Sequence, residues 1–200
     1  MPPTKKKPRP AAPLSREAWV QAATNLIATE GVQAVAVEPL ASALGVTKGS
    51  FYWHFHNRDE LIHAALEAWE QDQSADVVTR YSGIADPRRR LRVLLFAAFE
   101  DLENGRFFAA LAVSSEDARV QPYLRRATAR RLAFGVEAFQ ALGLPEPEAR
   151  ERALLAYAAY AGYFQLLRTT PEAVAAVTDL SGYVRRLADA LVPAKGPRRA

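Results

Sequence analysis

From Ser15 onward, apolar residues recur three and four positions apart, and almost nothing alternates with the period of two that a strand requires. Trp19, Ala22, Ala23, Leu26 and Ile27 fall at i, i+3, i+4, i+7 and i+8, one buried stripe on a first helix. Ser15 is its N-cap, the helix runs to about Thr29, and Gly31 stops it. The β-branched run Val32–Val37 is too short to build a sheet. A short helix follows over Val37–Leu44, with Leu40, Ala41 and Leu44 turned inward, and Gly45-Val46 makes a tight turn. A third short helix starts at Thr47 and ends near Trp53, where Phe51 and Phe55, four apart, share a buried side. Asn57 and Glu60 stand at capping-box spacing and open a fourth helix from Arg58 to about Tyr81. Leu61, Ile62, Ala65, Leu66 and Trp69 form its core side.

Beyond Gly83 the periods lengthen. Asp86-Pro87 is an N-cap with a first-turn proline and opens a helix to Glu103, which Asn104-Gly105 ends. Arg106–Ser114 is a short aromatic segment. Pro122 opens a helix to about Leu142, stopped by Gly143. Glu146–Arg168 is the next, and Thr170-Pro171 opens a last helix to about Leu191. The expectation is an all-α chain of about nine helices with no internal repeat.

Two short helices joined at a glycine and packed on a longer one read as a helix-turn-helix. Val46, Phe51 and Phe55 anchor the second helix, which leaves Lys48, Gly49, Ser50, Tyr52 and Trp53 on its other side. Thr47, Gly49 and Ser50 make a small, uncharged first turn that backbone phosphate or a base edge can approach closely. Lys48 can reach guanine O6/N7 or a phosphate. Tyr52 and His54 can donate to phosphate oxygens, as can Arg58 at the start of the next helix.

These residues carry a family resemblance. Gly31, the stretch Leu40-Ala41-x-x-Leu44-Gly45-Val46, the run Thr47-Lys48-Gly49-Ser50-Phe51-Tyr52-Trp53-His54-Phe55 and Asp59-Glu60-Leu61 resemble the DNA-binding domain of the TetR family of bacterial transcriptional regulators. The motif covers about a quarter of the chain; the rest resembles the family in length and helix count. The resemblance implies that Lys48, Gly49, Tyr52, Trp53, His54 and Arg58 face DNA, with Val37 and Glu38 near its backbone. It also implies a cytoplasmic, nucleoid-associated homodimer on a near-palindromic duplex operator. Two departures stand out. Ala36 occupies the capping position where the family usually has Thr or Ser, and Glu38 is acidic where a phosphate neighbour would favour Arg or Lys.

Residue counts narrow the chemistry. There is no cysteine, so disulfides, thiolate metal sites and a cysteine nucleophile are excluded. Three histidines, all between positions 54 and 63, leave no His-based triad elsewhere, and no metal or cofactor is expected from His54, His56 and His63. Gly-rich phosphate loops, HExxH and Gly-x-Ser-x-Gly are absent, so the chain does not read as an enzyme. Charges break every apolar stretch before the ~18 residues a transmembrane helix needs, and residues 1–14 lack the apolar core of a secretory signal.

The second half is rich in aromatics. Most are core, but a subset can line an apolar cavity for a small apolar or aromatic molecule. Given the family resemblance, Phe96, Phe99, Phe107, Tyr123 and Tyr160 are the candidate effector residues. The 146–168 helix is unusually small-sided, and the last helix presents Val174, Val177, Val184, Leu187 and Leu191. Such a pair either packs within one subunit or forms half of a four-helix bundle across a two-fold axis. The resemblance favours the dimer, with Ala158, Gly162, Val177, Val184 and Leu187 at its interface.

Charge completes the layout. Residues 1–14 hold Lys5, Lys6, Lys7 and Arg9 and no acid, while 15–200 balance at 22 basic and 22 acidic side chains. Lys195, Arg198 and Arg199 form a second basic cluster, so the 15–192 body is net −3 between basic ends, which suggests a polyanion partner. The expected organisation is a disordered basic tail (1–14), a helix-turn-helix domain (15–62), a helical effector-binding and dimerisation domain (63–192) and a basic tail (193–200). The reading is a ligand-responsive repressor; the alternative is a constitutive DNA-organising protein without effector.

Overall fold

The structure, a computed structural model, describes residues 14–81 and 83–192. Both basic clusters of the sequence lie outside the described residues. Ten α-helices and one 3₁₀ turn make up the fold, with no strand among the described residues.

Helix α1 (Arg16–Glu30) begins where Ser15 Oγ accepts from the Ala18 amide at 3.3 Å. It buries Trp19, Ala23 and Ile27. The β-branched run after Gly31 forms the 3₁₀ turn Val32–Ala34, whose Val32 joins the core. Helix α2 (Val37–Ala43) has no side-chain cap at Ala36, as the missing hydroxyl there implies. Gly45 then takes φ +68, a left-handed conformation that side chains disfavour, and so the chain turns into α3 (Lys48–Phe51). This helix is shorter than its sequence pattern, since Tyr52–His54 already turn away. Asn57 Oδ1 accepts from the Glu60 amide at 2.9 Å and Glu60 reaches back to the His56 amide at 2.6 Å. The result is the long α4 (Arg58–Tyr81).

In the second half the sequence boundaries need two corrections. Asn104-Gly105 does not end a helix. The break falls at Asp101, which closes α5 (Pro87–Glu100) and caps α6 (Leu102–Val113) by accepting from the Asn104 amide at 3.1 Å. Gly105 sits inside α6 because a Cβ there would lie 2.1 Å from the Phe164 ring; the glycine serves close packing rather than a turn. The last predicted helix is two, α9 (Pro171–Ala175) and α10 (Leu180–Leu191), divided where Asp179 caps afresh by accepting from the Gly182 amide at 2.8 Å. Between them α7 (Gln121–Gln140) and α8 (Glu146–Thr169) form the principal helix pair of the larger part.

One continuous core runs from Trp19 to Val192. Helix α1 packs on both α4 and α6, so the N-terminal helices rest directly on the larger part. Polar ties reinforce that seam. Arg168 Nη1 donates to Ala28 O at 3.1 Å, and Gln33 donates to Asp117 at 2.9 Å. Arg119 bridges Asp59 and Asp117, both at 2.6 Å.

Candidate nucleic-acid interface

Phe51, the last residue of α3, anchors that helix on α1. Its ring is fully buried, packed edge-on to Trp19 at 5.4 Å and stacked on Phe55 at 5.4 Å. With Phe51 and Phe55 inside, their neighbours must point out: Tyr52 is 56% exposed and Trp53 88%. Together the two rings put aromatic surface on the outer side of α3. Thr47, Lys48 and Gly49 are exposed beside them, with Ser50 and His54 half-buried. A Cβ added at Gly49 would meet nothing closer than Thr47 Oγ1 at 3.6 Å, so the start of α3 presents bare backbone outward.

Lys48 is not a lone cation. Its Nζ donates to Glu38 Oε1 at 2.7 Å, joining the start of α3 to α2. This bond, and then the charge attraction, lowers the Glu38 carboxyl and raises the Lys48 ammonium from their ordinary values. Both groups are solvent-exposed, so the pair is weak and its members remain available to another charge.

Arg58 corrects the sequence expectation. Rather than facing outward, its guanidinium turns onto the 3₁₀ segment: Nε donates to Val35 O, and Nη2 to Val32 O and Gln33 O, both at 3.2 Å. It clamps the α1–α2 link, bonding the Val35 and Gln33 carbonyls and sharing Val32 O with the Val35 amide of the 3₁₀ turn. The sequence offered no signal for this, because the acceptors are backbone atoms 23 to 26 positions away. Val37 lies half-buried against the core, at the first position of α2.

The candidate effector residues are only partly brought together. Phe99 and Tyr160 meet at 6.0 Å in a ring cluster with Phe164. Phe107 instead stacks on Trp69 of α4 at 5.3 Å. Tyr123 pairs with His63, its hydroxyl 3.4 Å from Nδ1, and burial pushes its phenol up. Phe96 is half-buried at the margin of the core. The interface candidates divide too. Ala158 and Gly162 are exposed on α8, and Val177 and Leu187 half-exposed. Val184, at 1% exposure, lies in the subunit's own core and cannot meet a partner. What the sequence reading missed on α8 is its exposed leucines: Leu154, Leu155 and Leu166 extend Ala158 and Gly162 into one apolar stripe. The i, i+4 spacing of Leu154, Ala158, Gly162 and Leu166 was the available signal.

Among the described residues no cluster of three or more His, Asp or Glu side chains could hold a metal ion, and no helix is long and apolar enough to cross a membrane.

Comparison with known proteins bears on the same segment. Residues 20–65 match the family model described as bacterial regulatory proteins, tetR family. The chain is 32% identical over 91 residues to the HTH-type transcriptional regulator TtgR of Pseudomonas putida, covering 44% of this chain and 42% of that protein. It is 30% identical over 100 residues to the HTH-type transcriptional repressor KstR2 of Mycolicibacterium smegmatis, covering 48% and 47%. The match thus spans less than half the length of either relative. In three dimensions the likeness is much wider. A TetR transcriptional regulator from Legionella pneumophila superposes with a TM-score of 0.75 at 16% identity, over 90% of this chain and 98% of that one.

Proposed function

We propose that the chain, whose residues 20–65 match the family model of tetR bacterial regulatory proteins, is a regulator of that family: a homodimeric, sequence-specific DNA-binding repressor released from its operator by a small molecule. The observation that carries the DNA-binding part is the division at α3. Phe51 and Phe55 are buried, whereas Lys48, Tyr52 and Trp53 stand outside next to an open Gly49. In this reading α3 enters the major groove. Lys48 reads a base edge or a phosphate, Thr47, Gly49 and Ser50 let the backbone approach, Tyr52 and His54 hold phosphates, and Trp53 packs on sugar and base edges. Val37 and Glu38 border the groove. Arg58 serves from behind, by fixing the α1–α2 link on which α3 is set.

The apolar stripe Leu154, Leu155, Ala158, Gly162 and Leu166 supports a dimer through α8, with Val177 and Leu187 at its rim. Two α3 helices so paired would meet half-sites roughly 34–36 Å apart or more. The response to a ligand would run along α4, which carries Arg58 at one end and Trp69 among the rings of the larger part. A ligand that favours one setting of α4 would lower DNA affinity by its own preference between the two states.

The test is fluorescence anisotropy with duplexes selected in vitro from a random pool, with dimer stoichiometry read by sedimentation. Enrichment of a near-palindrome, bound two chains per duplex, supports the reading. Equal affinity for the enriched and scrambled duplexes refutes it and favours a DNA-organising role.

A further inference from the structure

The larger part carries a polar cluster that DNA binding leaves unused. Arg131 extends from α7 among ring faces: its guanidinium carbon lies 5.1 Å from the Phe108 centroid, 5.3 Å from that of Tyr160 and 5.6 Å from that of Trp69. Its Nη2 donates to Asn104 Oδ1 at 3.3 Å, and the same oxygen accepts from Trp69 Nε1 at 2.9 Å. Helices α4, α6, α7 and α8 therefore meet at one guanidinium. Beside it, the Tyr160 hydroxyl is buried and has no hydrogen-bond partner among the described residues. Burial pushes this phenol up to about 12, so it keeps its proton at neutral pH and stands as a donor.

A buried hydroxyl without a partner retains its full desolvation penalty, and native structures hold few of them. Placed next to a guanidinium, it completes a pair of donors set in an aromatic wall. The acceptor that suits both is an anionic oxygen. A carboxylate matches the planar fork of arginine and takes a short, charge-assisted bond from a phenol. A ligand cation would meet Arg131 as a like charge, and a neutral ligand would gain hydrogen bonds without the charge attraction. The rings of Phe108 and of Phe164, 4.9 Å from Tyr160, offer the apolar surface for the rest of the molecule.

We propose that this cluster binds the head group of an amphipathic organic carboxylate, with Arg131 and Tyr160 holding its oxygens and the surrounding rings its hydrocarbon body. The proposal rests on the effector reading above and gives that effector a chemical class. It also supplies a route to α4. An oxygen that competes for Arg131 Nη2 changes what Asn104 holds, and Asn104 is what anchors the Trp69 indole.

The test is isothermal titration calorimetry on the full chain. The probes are octanoate, decanoate, dodecanoate and phenylacetate, each beside its matching primary alcohol, with decyltrimethylammonium as the cation. At least one carboxylate is expected to bind roughly 10-fold more tightly than its alcohol, as a bond to a charged group allows, and the cation not to bind. Tyr160→Phe should lower carboxylate affinity about 3- to 10-fold and leave the alcohol unchanged. Arg131→Gln should abolish the preference, and because Tyr160→Phe keeps the ring, it remains informative if Arg131→Gln unfolds. The proposal is overturned if no carboxylate exceeds its alcohol, or if the preference survives in Tyr160→Phe and Arg131→Gln alike. Operator binding measured without any probe separates the two readings. Intact operator binding with no carboxylate preference removes this proposal alone, whereas a carboxylate preference in a chain that selects no duplex removes the repressor and keeps the site.

Discussion

Replacing Phe51 by alanine tests the inside–outside division of α3 at its root. The ring has no exposed surface and touches three others: Trp19 at 5.4 Å, Phe55 at 5.4 Å and Tyr52 at 5.2 Å between centroids. Truncation removes the transfer energy of a full benzyl group and leaves a cavity beside Trp19, a fully buried side chain held in the first turn of α1. A loss of about 3–5 kcal/mol is expected. Against a total stability of about 5–15 kcal/mol this is a large fraction. For a chain of this size it lowers the melting temperature by roughly 6–20 °C. Thermal melts followed by circular dichroism, at one fixed protein concentration, give the number. The exposed neighbour supplies the control: Trp53→Ala should melt within about 0.5 kcal/mol of the parent. If Phe51→Ala costs under 1 kcal/mol, or if Trp53→Ala costs as much as Phe51→Ala, the packing account of α3 is wrong.

Gly105→Ala places a methyl 2.1 Å from the Phe164 ring inside the core and should destabilise by about 1–3 kcal/mol in a urea titration; a neutral result would show that Phe164 has room to move. Asp117 is held at about 2, chiefly by the hydrogen bond from Arg119, so its folded value lies below the unfolded one. The stability it contributes is then complete above about pH 4 and is lost as pH falls toward 2. Chemical denaturation over that window should show a steeper acid decline in the parent than in Asp117→Asn; parallel declines would refute the assignment. Gly162→Trp sets a large side chain on the exposed α8 stripe, where a Cβ meets nothing within 4 Å in the subunit. Sedimentation should show a weakened dimer with unchanged helicity, and a variant still dimeric at low concentration would move the interface off α8.

How far the sequence spoke for the structure depended on the range of the interaction. Patterns that act within a few residues were legible. The stripe of α1, the Gly45 turn, the Asn57–Glu60 cap and the buried Phe51–Phe55 pair all follow from spacing and side-chain type. Contacts made across the chain were not. Asn104-Gly105 reads as a helix stop until Phe164, some sixty residues on, is seen to need the space. Arg58 reads as a surface cation because its acceptors are main-chain carbonyls that carry no side-chain signature. Val184 has the same valine on either side of a helix; only the packing of α10 onto α5 decides that it faces inward. The Lys48–Glu38 pair falls between these cases, since both charges were noted from sequence but the turn geometry that joins them was not.

The central claim is that the outer side of α3 reads DNA while its inner side only holds the fold. The most direct measurement takes Lys48→Ala and Tyr52→Phe and records, for each, the affinity for a duplex selected by the parent and the melting temperature. Lys48→Ala should weaken binding roughly 5- to 150-fold and relax preference at one base pair per half-site. Tyr52→Phe, which removes only a hydroxyl, should weaken selected and scrambled duplexes alike by about 2- to 10-fold. Both should melt like the parent. Variants that bound DNA normally and melted early would contradict the account, because that is the behaviour of core residues.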